Sequence, residues 1–229
     1  MNTAQAAHSS WVPPIKRLPC MRVGPMPAPA STVTVVSGLP RSGTSLLMRA
    51  LRAGGMPLLV DEVRQADDRN PHGYFEWEPV KADEDYRQWI GEARGRAVKV
   101  VSRHLMRLPP THQYDVLFLH RDLGAVLRSQ RDMALHHSDA AWQDAAVADL
   151  AGIYRLHVQD SLQWLNRRPQ VRLHELRYED LIADPTAELQ RLCQALNRPA
   201  DQALDVAAMA ACVDPALNRA GRPQEPPHG

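Results

Sequence analysis

Val33-Thr34-Val35-Val36-Ser37-Gly38-Leu39-Pro40-Arg41-Ser42-Gly43-Thr44-Ser45-Leu46-Leu47-Met48-Arg49-Ala50-Leu51 decides how the remainder of the chain is read. It begins with a β-branched run that has prolines upstream, the pattern of a short buried strand. Gly38, Pro40 and Gly43 break that strand. Leu46, Leu47, Ala50 and Leu51 then share one helical face. A strand, a glycine-bounded loop and a helix start, in that order, make an anion site. The loop's backbone N–H groups curl round a phosphate, and the unpaired amides and dipole of the first helical turn point at it. The glycine spacing is that of a phosphate loop (P-loop), but the ATP-binding pattern follows the second glycine with Lys and then Ser or Thr. Thr44 stands where that lysine belongs, and Arg41 is the cation inside the loop. The stretch predicts a phosphate site that is not an ATPase loop.

Downstream, Gly54-Gly55 ends the helix, and Met56 to Val60 reads as a short second strand. A polar, turn-rich segment runs from Asp61 to Gly73, and the aromatic stretch Tyr74 to Trp77 follows, flanked by Glu76 and Glu78. Pro79 to about Gly91 reads as a helix and Ala97 to Val101 as a strand. Asp115 to His120 is the best strand after the first and leads through Arg121-Asp122 into a helix reaching His136. A long helix is expected from Asp139 to Asn166, with Trp142, Ala146, Leu150, Ile153, Tyr154, His157, Ser161, Leu162 and Leu165 on one face. Val171 to Glu175 reads as the last strand, with helices over Pro185 to Leu196 and Asp201 to Cys212. Strands alternating with helices imply an α/β fold: a three-layer sandwich around a mostly parallel sheet covered on both faces.

A chain of 229 residues suits one α/β domain over 31–229. Six prolines between Pro13 and Pro29 mark residues 1–30 as a leader that is disordered or polyproline-like. The 27 Lys and Arg residues against 26 Asp and Glu leave a net charge of +1, which argues against a nucleic-acid partner. Cys20, Cys193 and Cys212 are widely separated and suggest a reducing compartment without disulfides. No run approaches the roughly 18 apolar residues of a membrane span, and no secretory h-region is evident, so a cytoplasmic protein is expected. The ten histidines lack zinc-ligand spacing.

Pro40-Arg41-Ser42-Gly43-Thr44-Ser45 resembles the 5′-phosphosulfate loop of sulfotransferases that use 3′-phosphoadenosine 5′-phosphosulfate (PAPS). The arginine version is similar to the tyrosylprotein and glycan enzymes and to short bacterial relatives, whereas the cytosolic aryl enzymes carry lysine there. Two further motifs follow in the family's order. Arg121 to Ser129 resembles the pair that binds the donor's 3′-phosphate, Arg at a strand end and Ser two turns into the next helix. Leu176 to Pro185 resembles the segment whose tyrosine, here Tyr178, packs on adenine. Arg forks suit phosphate oxygens, and aromatic faces suit purines. Read singly, each of these two motifs also fits a structural role, a strand-end charge paired with Asp122 and a core tyrosine.

The resemblance implies sulfuryl transfer from PAPS to a hydroxyl or amine, with no metal. Arg41, Ser42, Gly43, Thr44 and Ser45 would hold the phosphosulfate, Arg121 and Ser129 the 3′-phosphate, and Tyr178 the adenine. Ungapped spacing from the loop puts Glu62 on the catalytic glutamate of the tyrosylprotein enzymes and Arg64 on a nearby arginine; Asp61, Glu76 and His104 are rivals for the base. Lys99, inside an apolar strand, needs a partner, and a phosphate would serve. A small molecule, glycan, lipid or peptide could be the acceptor, and a homodimer could complete its pocket. Two alternatives stand beside this reading: a P-loop kinase using Asp61 for magnesium, and a non-catalytic adenylate-binding protein.

Overall fold

Every residue of β1 (Thr32–Gly38) is buried, which is what a β-branched run does when a parallel sheet is covered on both faces. The computed structural model describes residues 32–61, 73–82, 84–136 and 144–213, excepting the side chains of 135, 136 and 144–148. Within them β1 lies between β2 (Ala97–Lys99) and β3 (Gln113–His120), and β4 (Val171–Arg177) lies on the far side of β3. All pairings are parallel, and the β1–β3 ladder is in register from Thr32 opposite Gln113 to Gly38 opposite Leu119. The α/β sandwich around a parallel sheet is therefore present.

Alternation along the strands sends side chains into two cores. Val33, Val35, Val116 and Phe118 meet α3 (Tyr86–Trp89), the start of α4 (Leu123–His136), and Val158 and Leu165 of α5 (Asp144–Asn166). Val36, Leu117, Leu119 and Leu176 meet the opposite layer: α1 (Thr44–Ala53), α6 (Tyr178–Ala183), α7 (Pro185–Leu196) and α8 (Val206–Ala211). Helix starts use their aspartates. Asp184 accepts from Ala187 N–H with Pro185 in the first turn, and Asp205 accepts from Ala208 N–H.

Several expected elements are reshaped. The helix expected over Pro79 to Gly91 is split into α2 (Glu78–Lys81), α3 and a 3-10 turn, because Asp85 accepts from Arg87 N–H at 3.1 Å and starts a new helix. Met56 to Val60 does not form a full strand. Leu58 makes one parallel bridge to Ala97, and Pro57, with no N–H to donate, contributes only its carbonyl. On α5 the buried face runs through Val158, Ser161 and Leu165, whereas Ile153 is 57% exposed, one residue out of step with that face. Trp142 and Ala146 fall outside the described side chains, as do residues 1–30 outside the described chain. Helix α6, beginning at Tyr178, was not anticipated. Cys193 and Cys212 are free thiols, and Cys20 lies outside the described residues.

Gly38 is the tightest point of the central ladder. A β-carbon there would lie 2.6 Å from the Leu119 carbonyl oxygen, and its φ of +147° disfavours other residues. Gly55, at φ +91°, has nothing within 4 Å of an added β-carbon. Gly55→Ala should therefore cost only backbone strain, about 1–2 kcal/mol. Gly38→Ala should cost about 2–5 kcal/mol, because overpacking against immovable backbone adds to the strain. Denaturant unfolding of the two variants measures the difference.

Candidate active site

The loop between β1 and α1 stands at the C-terminal edge of the sheet, where parallel α/β folds place their ligands. Two residues in it take left-handed backbone, Arg41 at φ 74° and Gly43 at φ 103°. For arginine that conformation carries strain, a feature concentrated at ligand-binding turns. Ser42 N–H closes the turn onto the Leu39 carbonyl at 3.0 Å. Gly43 caps α1 without any side-chain bond to the helix, so no side chain competes for the amides of the first turn. The Ser42 hydroxyl is buried and has no hydrogen-bond partner among the described residues. This edge fits an anion.

Four of the predicted donor-site side chains, Arg41, Ser129, Arg121 and Tyr178, are linked beside the Arg41–Gly43 turn. Arg41 Nε donates to Ser129 Oγ at 3.0 Å, joining the loop to α4. Arg121 Nη1 donates to the Arg41 carbonyl at 2.8 Å, and its guanidinium stacks 4.2 Å over the Tyr178 ring. Tyr178 in turn lies against Gly43, where a β-carbon would come within 2.5 Å of the ring. The β1–β3 register carries this convergence, since it sets the end of β1 beside the end of β3. Asp122 also organises this turn: its carboxylate accepts from Ala125 N–H at the start of α4, its own N–H donates to Glu179, and its charge acts on Arg121. Burial lowers the pKa of Arg121 and raises that of Tyr178, each offset in part by the other.

Two supports of the loop escaped sequence reasoning. Gln130 Nε2 donates to the Pro40 carbonyl at 2.9 Å, and Tyr154 OH donates to Gln130 Oε1 at 2.7 Å, so α4 and α5 both brace the turn. Gln130 follows Ser129 directly, but nothing in its spacing reveals a bond to a loop 90 residues away.

On the other side of the loop, Lys99 at the end of β2 bonds the Tyr74 carbonyl and lies 3.5 Å from Ser45 Oγ. Ser45 Oγ donates to the same carbonyl at 3.3 Å, and Glu76 Oε1 lies 3.6 Å from Lys99 Nζ. Thr44 has a buried side chain. Asp61 is engaged structurally: its carboxylate accepts from Glu78 N–H and its N–H donates to the Glu76 carbonyl at 2.9 Å. His104, in the 3-10 turn after β2, accepts from Arg103 Nε at 2.8 Å. Burial first, and Arg103 second, lower its pKa and favour the neutral ring. Glu62 and Arg64 lie outside the described residues. Among the described residues no group of three or more His, Cys, Asp and Glu is placed to hold a metal, and no helix is long and apolar enough to cross a membrane.

From sequence, Arg121 reads as an exposed charge whose loss would leave the fold untouched. The structure differs, because the side chain is half-buried and tied to the loop. Arg121→Ala should cost about 1.5–3 kcal/mol of ligand-free stability, the worth of a hydrogen bond to a charged group. Chemical denaturation without ligand checks this; an unchanged midpoint would mean that the Arg121–Arg41 bond does not hold the loop.

Comparison with known proteins agrees with this architecture. Residues 104–202 match the model of the sulfotransferase family. The sulfotransferase domain of the Synechococcus PCC 7002 olefin synthase shares the fold at a TM-score of 0.50 and 17% identity, over 90% of this chain and 92% of that one. A sulfotransferase from Alicyclobacillus acidocaldarius aligns at a TM-score of 0.47 and 14% identity, covering 77% and 85% of the two chains. The sulfotransferase domain from the curacin biosynthetic pathway aligns at 0.46 and 19%, covering 90% and 94%. No curated protein matches the chain. The likeness to sulfotransferases is thus borne out, by the family match over residues 104–202, which hold the second and third motifs but not the Pro40 to Ser45 loop, and by the shared α/β fold.

Proposed function

We propose that this protein transfers a sulfuryl group from PAPS to a hydroxyl or amine acceptor. The family match supports sulfuryl transfer in general. The observation that carries the choice of donor is the meeting of Arg41, Ser129, Arg121 and Tyr178 beside the uncapped start of α1. That cluster sets two guanidinium groups, a hydroxyl and an aromatic ring beneath Arg121 beside the helix start. A nucleotide with phosphates on both sides of its ribose has matching chemistry: two phosphates and a purine.

In this reading the amides of Gly43 to Ser45 and the Ser42 hydroxyl receive the 5′-phosphosulfate. Arg121 and Ser129 receive the 3′-phosphate, which takes over the Ser129 hydroxyl now bonded to Arg41. Arg41 is then released toward the phosphosulfate, where with Lys99 it offsets charge on the sulfuryl oxygens and the leaving phosphate. Tyr178 packs on adenine. A carboxylate downstream of α1 takes the acceptor's proton, Glu62 by its spacing from the loop or Glu76 by its place beside Lys99. The kinase alternative is disfavoured by Thr44 at the lysine position and by Asp61, whose carboxylate is already bonded to a backbone N–H.

Donor choice is testable by calorimetry. The protein should bind adenosine 3′,5′-bisphosphate, the donor's product, more tightly than ATP or ADP and without magnesium. Equal affinities, or tighter magnesium-dependent ATP binding, would overturn the reading in favour of a kinase.

A further inference from the structure

Phe75, beside the site, has a backbone conformation that is rare for its residue type. Its φ of 51° puts a bulky aromatic residue in left-handed backbone, a conformation that persists only where the surroundings impose it. Arg52 lies over the Phe75 ring at 4.8 Å, the Glu76 carbonyl accepts from Asp61 N–H, and Asp61 also holds Glu78 N–H. The twist at Phe75 makes its two neighbours converge: the Tyr74 carbonyl and the Glu76 carboxylate both reach the Lys99 ammonium. Lys99 pairs in register with Val36 of β1 and reaches Ser45 in the first turn of α1. A carboxylate is thereby held two contacts from the helix start that fits an anion. Its side chain is 17% exposed, with Oε2 buried and Oε1 toward Lys99, while the Lys99 side chain is 7% exposed.

We propose that Glu76 is the residue that takes the acceptor's proton, and that Lys99 restrains its carboxylate until the donor is bound. The inference rests on the sulfotransferase reading. An anion at the start of α1 offers Lys99 a second partner, so the ammonium turns from Glu76 toward it and the carboxylate is released on the acceptor side. Lys81, 3.6 Å from the other carboxylate oxygen, then keeps Glu76 in place. In the transfer the acceptor's proton moves to a Glu76 oxygen as the acceptor's O–S or N–S bond forms. The bond from sulfur to the 5′-phosphate oxygen breaks with its electron pair on that oxygen, leaving adenosine 3′,5′-bisphosphate. Coupling the base to the donor in this way suppresses proton abstraction while no sulfuryl group is present.

The test uses the full chain, the bisphosphate as binding probe, and loss of the labelled sulfuryl group from PAPS in a metabolite extract as turnover. Glu76→Gln removes the carboxylate that competes for Lys99. It should tighten bisphosphate binding by about threefold to tenfold while slowing sulfuryl loss by about 10²–10⁴. Lys99→Met should weaken the same binding in either background. Bisphosphate binding that is unchanged or weaker in Glu76→Gln would overturn the proposal, as would normal turnover in that variant while Glu62→Gln abolishes it. Wild-type protein that fails to bind the bisphosphate would instead refute the donor reading on which the inference rests.

Discussion

The parallel pairing of β1 with β3 is the constraint from which the rest follows. Seven residues of each strand lie in register and end with Gly38 beside Leu119, so the chain leaving β1 and the chain leaving β3 emerge side by side. Only glycine permits that approach, because any β-carbon at position 38 would press on the Leu119 carbonyl. From this one juxtaposition the loop at 39–43 and the guanidinium of Arg121 become neighbours, although 80 residues separate Arg41 from Arg121. The sheet brings its edges together before any ligand-specific chemistry is involved.

Electrostatics then divides the edge into two halves. On the α4 side, Arg41 bonds a serine hydroxyl, and Arg121 bonds a backbone carbonyl and stacks on an aromatic face, with Glu179 and Asp122 acting on its charge. On the β2 side, Lys99 is paired with a carboxylate. An incoming anion must compete with Glu76 there, and near Arg121 it meets the charges of Glu179 and Asp122. Burial strengthens the interactions on both sides, since ion pairs and anion contacts are both stronger away from water.

How much of this could be read in advance depended on the range of the interactions. The buried strands Val33 to Val36 and Asp115 to His120 were legible because central parallel strands are apolar throughout, and the loop because glycines and the helix start that follows are local signals. The order of three motifs named Arg41, Arg121, Ser129 and Tyr178 without coordinates, and the fold brings them together. What was missed is non-local. The brace of Gln130 and Tyr154 on Pro40, and the break of the 78–93 segment by the Asp85 cap, depend on partners or competing caps that periodicity does not register. The displacement of Ile153 to the surface shows the same limit, because over the length of α5 one step of phase error exchanges a buried position for an exposed one. Glu76 was visible as one acid among several; its contact with Lys99 is tertiary, and depends on the unusual backbone of Phe75.

The central claim is that this edge reads two phosphates on one adenylate. Comparing adenosine 3′,5′-bisphosphate with adenosine 5′-phosphosulfate, which lacks the 3′-phosphate, in wild type and Arg121→Ala tests it most directly. The account predicts that the wild type prefers the bisphosphate and that Arg121→Ala loses about 1.5–3 kcal/mol of that preference, since a charged hydrogen bond is removed from one ligand and not the other. Equal loss of affinity for both ligands would contradict it, leaving Arg121 as a brace for the loop and nothing more.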